Sequence, residues 1–181
     1  SKLKHFVIIA ENGQYIQYNH ELIHSHIYQI STLQNLVSYE HHTNSLFFYI
    51  SDKSTFITKP IDKFLELEHV KLNRKLFDYY LSLDLKMLDV NQLDCDIQTI
   101  EMYLPKDKAV KLSDMIPTYR AVHFNDVFAD YMPKTASKMN AIDILSLRLN
   151  IPTSKVIAFG DGFNDIEMIH GVGLGIAMEN A

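Results

Sequence analysis

Only one cysteine, Cys95, occurs in 181 residues, so no intrachain disulfide can form, and a reducing cytoplasm is the simplest compartment. No stretch approaches the roughly 18 apolar residues of a membrane-spanning helix, which argues against a membrane partner. No secretory leader is visible, although the chain opens so abruptly that an upstream segment is expected. Dense Lys/Arg runs are also missing and the net charge is -5, so there is no electrostatic footprint for a polyanion and no nucleic acid is expected as partner. Internal repeats and low-complexity stretches are absent. What the chain does have is 47% apolar residues, enough for the core of one ordinary domain or two small ones.

Periodicity divides the chain into two textures. Phe6 to Ala10 reads as a buried strand, and the Asn12-Gly13 turn leads into a short strand at Tyr15 to Tyr18. Ser25 is a plausible N-cap for a helix carrying Ile27, Ile30, Leu33, Leu36 and Val37 at helical spacing, up to the polar stretch from Tyr39 to Asn44. Leu46 to Ile50 and Thr55 to Thr58 flank Ser51 to Ser54 as a hairpin. Pro60 starts a short helix near Asp62 to Leu67, and a further helix covers Arg74 to Leu83. Ile97 to Leu104 is a strand and Lys106 to Met115 a helix, followed by a hairpin of Tyr119 to Asn125 with Val127 to Met132. Beyond Pro133 the pattern becomes βα-alternating. A helix from Ser137 to Leu149 is broken at Ile151-Pro152, and the strand Val156 to Phe159 precedes a helix from about Asp165 and a last strand near Leu174 to Met178. The reading is an α/β chain with a parallel sheet and a separate α+β insertion.

The chemistry concentrates at Phe159-Gly160-Asp161-Gly162-Phe163-Asn164-Asp165. A carboxylate at the C-terminal end of a parallel strand points into the crevice where open α/β sheets place ligands, and Asp161 holds that position. Mg²⁺ takes one or two carboxylates and shares its remaining sites with water and phosphate oxygens. Gly160 and Gly162 let the backbone bend and approach a ligand closely. Asn164 stands at the mouth of the next helix, where free N–H groups favour an anion, and Asp165 can cap that helix or hold a metal-bound water. The same letters also fit a plain Gly-Asp-Gly turn with an Asx cap, and spacing alone does not separate the two. Lys138, at the start of the preceding helix, can place an ammonium on a phosphate, although most helix lysines are solvated. Lys134 is a weaker rival.

Taken together, Phe128 to Lys138, Val156 to Met168, the closing Ala177 to Ala181 and the Ala10-Glu11-Asn12-Gly13 turn resemble the haloacid dehalogenase superfamily. More narrowly they are similar to Cof-type phosphatases with a class IIB cap. The resemblance implies a Rossmann-like core of parallel sheet, here partial, over 1–22 and 121–181, with an inserted α+β cap domain over 23–120. It also implies Mg²⁺-dependent hydrolysis of small phosphorylated metabolites, such as sugar phosphates or cofactor-type phosphates, through an aspartyl-phosphate. Carried onto this chain, Asp161 matches a metal ligand and Asn164 the asparagine that contacts substrate. Asp165 matches the second aspartate, with catalytic and metal-supporting roles, and Lys138 the lysine that binds the transferred phosphoryl group. A phosphotransferase or mutase of the same superfamily, and a non-catalytic regulatory module on this fold, are the alternatives.

Two departures stand out. Met139 follows the lysine where the family usually has glycine. The family's nucleophile motif, Asp-x-Asp-Gly-Thr after an apolar strand, is not found; Asp94-Cys95-Asp96-Ile97-Gln98-Thr99 lacks the glycine and reads as a cap loop. The resemblance therefore leads one to expect a nucleophile upstream, and a chain that is an interior part of a longer protein and inactive alone. The oligomeric state is left open. Of the nine histidines, His24/His26 and His41-His42 invite a metal reading, but helix onset at Ser25 and a polar loop argue against it. Phe47, Phe48, Tyr49 and Phe56 fit either a substrate pocket or a core. Tyr119 and His123 are further candidates to face a substrate.

Overall fold

The structure is a computed structural model that describes residues 6–43, 45–64, 74–123 and 125–179. Two compact units emerge, a discontinuous one of Ser1–His26 with Lys134–Ala181 and an inserted one of Ile27–Pro133.

The first segment of the discontinuous unit is an antiparallel meander of β1 (Val7–Ala10), β2 (Tyr15–Tyr18) and β3 (Glu21–Ser25). A one-turn 3-10 segment, Glu11–Gly13, joins β1 to β2. Asn19 and His20 join β2 to β3 with φ of 46° and 71°, the pair of left-handed residues that a two-residue hairpin of the I′ type demands. Asn19 Oδ1 also accepts from the Phe6 N–H at 3.0 Å. The expected N-cap at Ser25 is thereby corrected: Ser25 ends β3, and the next N–H, of His26, donates to the Gln14 carbonyl at 2.8 Å. Asn-His lacks the glycine that usually flags such a turn, so the helical spacing after Ile27 was extended back through a strand. His24 therefore lies in β3, and His26 directly follows its end. Burial, and His24 beside it, lower the pKa of His26.

The inserted unit opens with α1 (Ile30–His42), preceded by Gln29 with no side-chain cap. His41 and His42 belong to its last turn, and the His42 Nδ1 lies 2.7 Å from the Ser38 carbonyl. Then come β4 (Leu46–Ile50), β5 (Thr55–Ile57), a 3-10 turn Ile61–Phe64, α2 (Arg74–Leu81), β6 (Leu85–Met87) and β7 (Thr99–Tyr103). The expected continuation of the Pro60 helix to Leu67 lies outside the described residues. α3 (Lys106–Met115), β8 (Tyr119–His123) and β9 (Phe128–Pro133) complete the unit. The strands form one six-stranded sheet in the order β6-β5-β4-β7-β9-β8. Only β5 and β6 pair in parallel.

β4 shows why this sheet is stable. Side chains alternate across a strand, and Phe47 and Tyr49 enter the cluster with Leu33, Leu36 and Leu112, while Leu46 and Phe48 enter the opposite cluster with Phe77 and Tyr80. All four β4 residues are fully buried. Helices cover both faces, so the strand is an unbroken apolar run. Phe48 stacks on Tyr80 with ring centroids 3.7 Å apart, a geometry contributing about 0.5–1.5 kcal/mol beyond area burial. Phe47, Phe48 and Tyr49 are thus core residues, with Phe56 packed against the same core.

The fully buried Glu40 escaped the sequence reading. Its carboxyl accepts from the Phe47 N–H and the Tyr49 hydroxyl, each at 3.1 Å. Lys59 Nζ caps the end of α1 by donating to the carbonyls of Glu40, Thr43 and Ser45, the last two at 3.1 and 3.0 Å. Burial raises the Glu40 pKa against the lowering effect of these hydrogen bonds and of Lys59.

The chain boundaries differ from the expected 22/23 and 120/121. β8 and β9 do form the anticipated hairpin, but β9 also pairs with β7, Glu101 opposite Asp130. The hairpin therefore completes the sheet of the inserted unit. A local turn signal identifies two strands as partners without saying which sheet they join.

The returning segment contributes α4 (Lys138–Leu149), β10 (Ile157–Gly160), α5 (Ile166–Gly171) and β11 (Leu174–Ala177). β10 and β11 pair in parallel, as the alternating pattern requires. Ser137 caps α4 by accepting from the Asn140 N–H at 3.1 Å, and Asn150 ends it at φ 53°. Ala141 and Leu145 pack with Ile16 of the meander, the small core of this unit.

Candidate active site

The site residues all belong to the discontinuous unit and are built around the C-terminal end of β10. Asp165 is the centre of the arrangement, only 3% exposed. Its Oδ2 accepts from the backbone N–H groups of Asp161 and Gly162 at 3.0 and 3.2 Å, which folds the loop back on itself. Its Oδ1 accepts from the ammonium of Lys138, the first residue of α4. A Cβ on Gly160 would come within 2.5 Å of the Asp165 Cβ, so glycine is needed here for close approach. Burial raises the Asp165 pKa, but the Lys138 hydrogen bond, the two N–H donors and the Lys138 charge outweigh it and hold the carboxyl below its ordinary value.

Asp161 and Asn164 are exposed on the outer side of this loop. Asp161 lines a cavity of about 340 Å³ with Gly160, Gly162, Phe163, His170 and Ala177. Asn164 Nδ2 donates to Asn12 Oδ1 at 2.8 Å, so the Asn12-Gly13 turn reaches the acidic loop. The same turn abuts the cap of α4. Gly13 has φ 94°, and a Cβ there would lie 2.2 Å from the Ser137 carbonyl oxygen. Asn12 is thus a site residue that sequence reasoning used only as a turn signal; nothing in its letter spacing from Asn164 announces the contact.

The four sequence candidates therefore converge. Lys138 and Asp165 form an ion pair, Asp165 orders the backbone of Asp161, and Asn164 sits one residue before Asp165. The helix after the loop, α5, has only six residues, and the N–H groups of Asp161 and Gly162 that precede it are engaged by Asp165. Met139, the departure from the family pattern, lies against Gly171, where a Cβ would come 2.4 Å from its Sδ. The missing bulk at 171 accommodates the methionine. Lys134 is an exposed turn residue. Tyr119 and His123 belong to the inserted unit, where Tyr119 stacks on Tyr131 and His123 Nε2 lies 2.9 Å from the Leu104 carbonyl. Asp94 and Asp96 lie in the loop before β7.

A hard divalent cation needs oxygen donors. Asp161 fits, being an exposed carboxylate at a strand end, whereas both oxygens of Asp165 already accept hydrogen bonds. Among the described residues no group of three or more His, Cys, Asp or Glu is placed to hold a metal ion. Nor is any described helix long and apolar enough to cross a membrane.

Residues 1–181 match the family described as haloacid dehalogenase-like hydrolase. A protein of Haemophilus influenzae named as a phosphatase is 40% identical over 72 residues, 40% of this chain and 28% of the relative. The HMP-PP phosphatase of Serratia proteamaculans is 33% identical over 82 residues, 42% of this chain and 30% of its own. A solved sugar phosphatase of subclass IIB superposes with a TM-score of 0.75 at 20% identity, over 97% of this chain and 65% of the other. The chain thus spans less than a third of these curated relatives and about two thirds of the solved structure.

Proposed function

The chain belongs to the haloacid dehalogenase-like hydrolase family, and we propose that it supplies the metal-binding and phosphate-binding half of a Mg²⁺-dependent phosphatase acting on small phosphorylated metabolites. The observation that carries the reading is the Lys138–Asp165 ion pair, which ties the start of α4 to the strand-end loop bearing Asp161 and Asn164. Asp161 would hold the cation, which when bound neutralises phosphate charge. Lys138 uses one of its three donors on Asp165 and has two left for a phosphoryl oxygen. Asn164 offers a neutral carboxamide to the same group. Asp165 acts from behind, keeping Lys138 aimed and the loop closed. It is assigned a positioning role because its Oδ2 is taken by the loop and its Oδ1 by Lys138.

No attacking carboxylate is assigned within these 181 residues. The inserted unit is assigned the role of a cap that selects the substrate. Sugar phosphates and cofactor-type phosphates are the classes we favour, the former following the name of the related solved sugar phosphatase. A cytoplasmic location is proposed on the single cysteine.

The test is hydrolysis of a generic aryl phosphate by the full-length protein, with and without Mg²⁺. Turnover should require the metal, and Asp161→Ala should lower kcat/KM by about 100-fold or more. Unchanged turnover in that variant refutes the metal assignment, and transfer of the phosphoryl group to a second substrate in place of water would identify a phosphotransferase.

A further inference from the structure

We propose that Asn12 is a positioning residue that sets the rotamer of Asn164 for phosphate contact, an inference resting on the phosphatase reading above. The turn bearing Asn12 is held in an uncommon shape. Glu11, Asn12 and Gly13 follow one another at φ of 50°, 50° and 94°, the left-handed region that L-residues other than asparagine and aspartate seldom enter. Its place is set by backbone contact, because the Ser137 carbonyl occupies the space of a Gly13 Cβ. Ser137 is the cap of the helix that begins with Lys138. The turn is therefore in register with the lysine that would bind the same phosphoryl group.

From this anchored turn, Asn12 Oδ1 accepts from Asn164 Nδ2 at 2.8 Å across 152 residues of sequence. The other end of the Asn164 amide lies over Gly162, where a Cβ would come within 2.8 Å of its Oδ1, so glycine at 162 leaves room for this rotamer. A carboxamide has two N–H donors and one carbonyl. One donor is directed at Asn12, which fixes the amide plane and leaves the second donor for an acceptor oxygen. Without Asn12 the side chain of Asn164, exposed on its loop, would sample its rotamers freely, and ordering it would weaken each binding event.

The experiment compares variants of the full-length protein with Mg²⁺ and an aryl phosphate. Asn164→Ala should raise KM about tenfold. Asn12→Gly keeps the left-handed turn and removes the acceptor; it should raise KM by several-fold to about tenfold with kcat within about twofold. Asn12→Asp, which restores an acceptor oxygen, should recover most of that loss, and Asn12→Gly should add nothing in an Asn164→Ala background. If Asn164→Ala raises KM and Asn12→Gly does not, or if the two effects multiply, Asn12 has no positioning role. If Asn164→Ala itself changes nothing, the phosphate-binding reading of the loop fails and takes this inference with it. The side-chain amide NMR signals of Asn164 give a readout independent of turnover. They should move in Asn12→Gly, and in Asn12→Asp where the acceptor becomes charged. Static signals in whichever variant folds would overturn the proposal.

Discussion

Two buried carboxyl groups, one in each unit, have been handled in opposite ways. Glu40 lies inside the inserted unit among Phe47, Tyr49 and the end of α1, and burial dominates, so its pKa is raised. Asp165 lies in the discontinuous unit, almost as deeply buried, yet Lys138 and two backbone N–H groups hold its pKa down. The surroundings differ in the same sense. β4 is buried on both faces, whereas in β10 Ile157 and Phe159 are 60% and 62% exposed. One unit places its polar group inside a finished core; the other organises a charged loop at an open strand end. Burial alone therefore does not set the direction in which a carboxyl's pKa moves; its balance against the donors and charges that reach the group does.

The largest contrast should come from the two strands. Phe48→Ala removes a ring that is fully buried and stacked on Tyr80, and should destabilise the inserted unit by about 3–5 kcal/mol. Phe159→Ala in the 181-residue chain should cost less than about 1 kcal/mol. Both are read by denaturant unfolding, with hydrogen exchange to assign each change to its unit. Equal effects would break the comparison.

Next in size is Lys138→Met, which leaves the Asp165 carboxylate buried without its cation. A loss of about 2 kcal/mol is expected, confined to amides of α4 and the 160–171 segment. A change spread over the inserted unit would contradict the assignment.

The smallest effect is the pH dependence, and its sign separates the units. Asp165 has a folded pKa below its unfolded value, so its stabilisation is present above the ordinary carboxylate range and is lost as pH falls through the folded pKa. Glu40 is the reverse: its folded pKa is raised, so its contribution is full below the unfolded value and declines as pH rises through the folded one. Acidification from neutral pH toward the ordinary glutamate range should protect amides around Glu40, and further acidification should expose those around Asp165. Glu40→Gln should flatten the first dependence, and Asp165→Asn the second.

Much of this was legible in the letters. The apolar run at Val156 to Phe159, the acidic loop, the helix beginning about Ser137 and the parallel return at Leu174 are local patterns, and they appear within a residue or so of their expected places. The roles of individual letters were less accessible. Asp165 was read as a helix cap or a support to the metal beside Asp161, and only its three hydrogen-bond donors assign it to ordering the loop and Lys138. Glu40 fell within the polar stretch after the amphipathic helix and drew no reading of its own; it is a buried acceptor because β4 passes beside it.

Side-chain periodicity and turn chemistry act over a few residues, and for that reason the amino-acid sequence was sufficient for most of the elements, though not for β3 or β6, for the α/β class and for the loop where chemistry collects. The resemblance carried in those same residues pointed to the superfamily. Pairings between distant segments obey no such short-range rule. The capture of the 119–133 hairpin by β7, the extension of the meander through β3 and the meeting of Asn12 with Asn164 depend on which surfaces remain to be buried and which donors remain unpaired once the chain has folded.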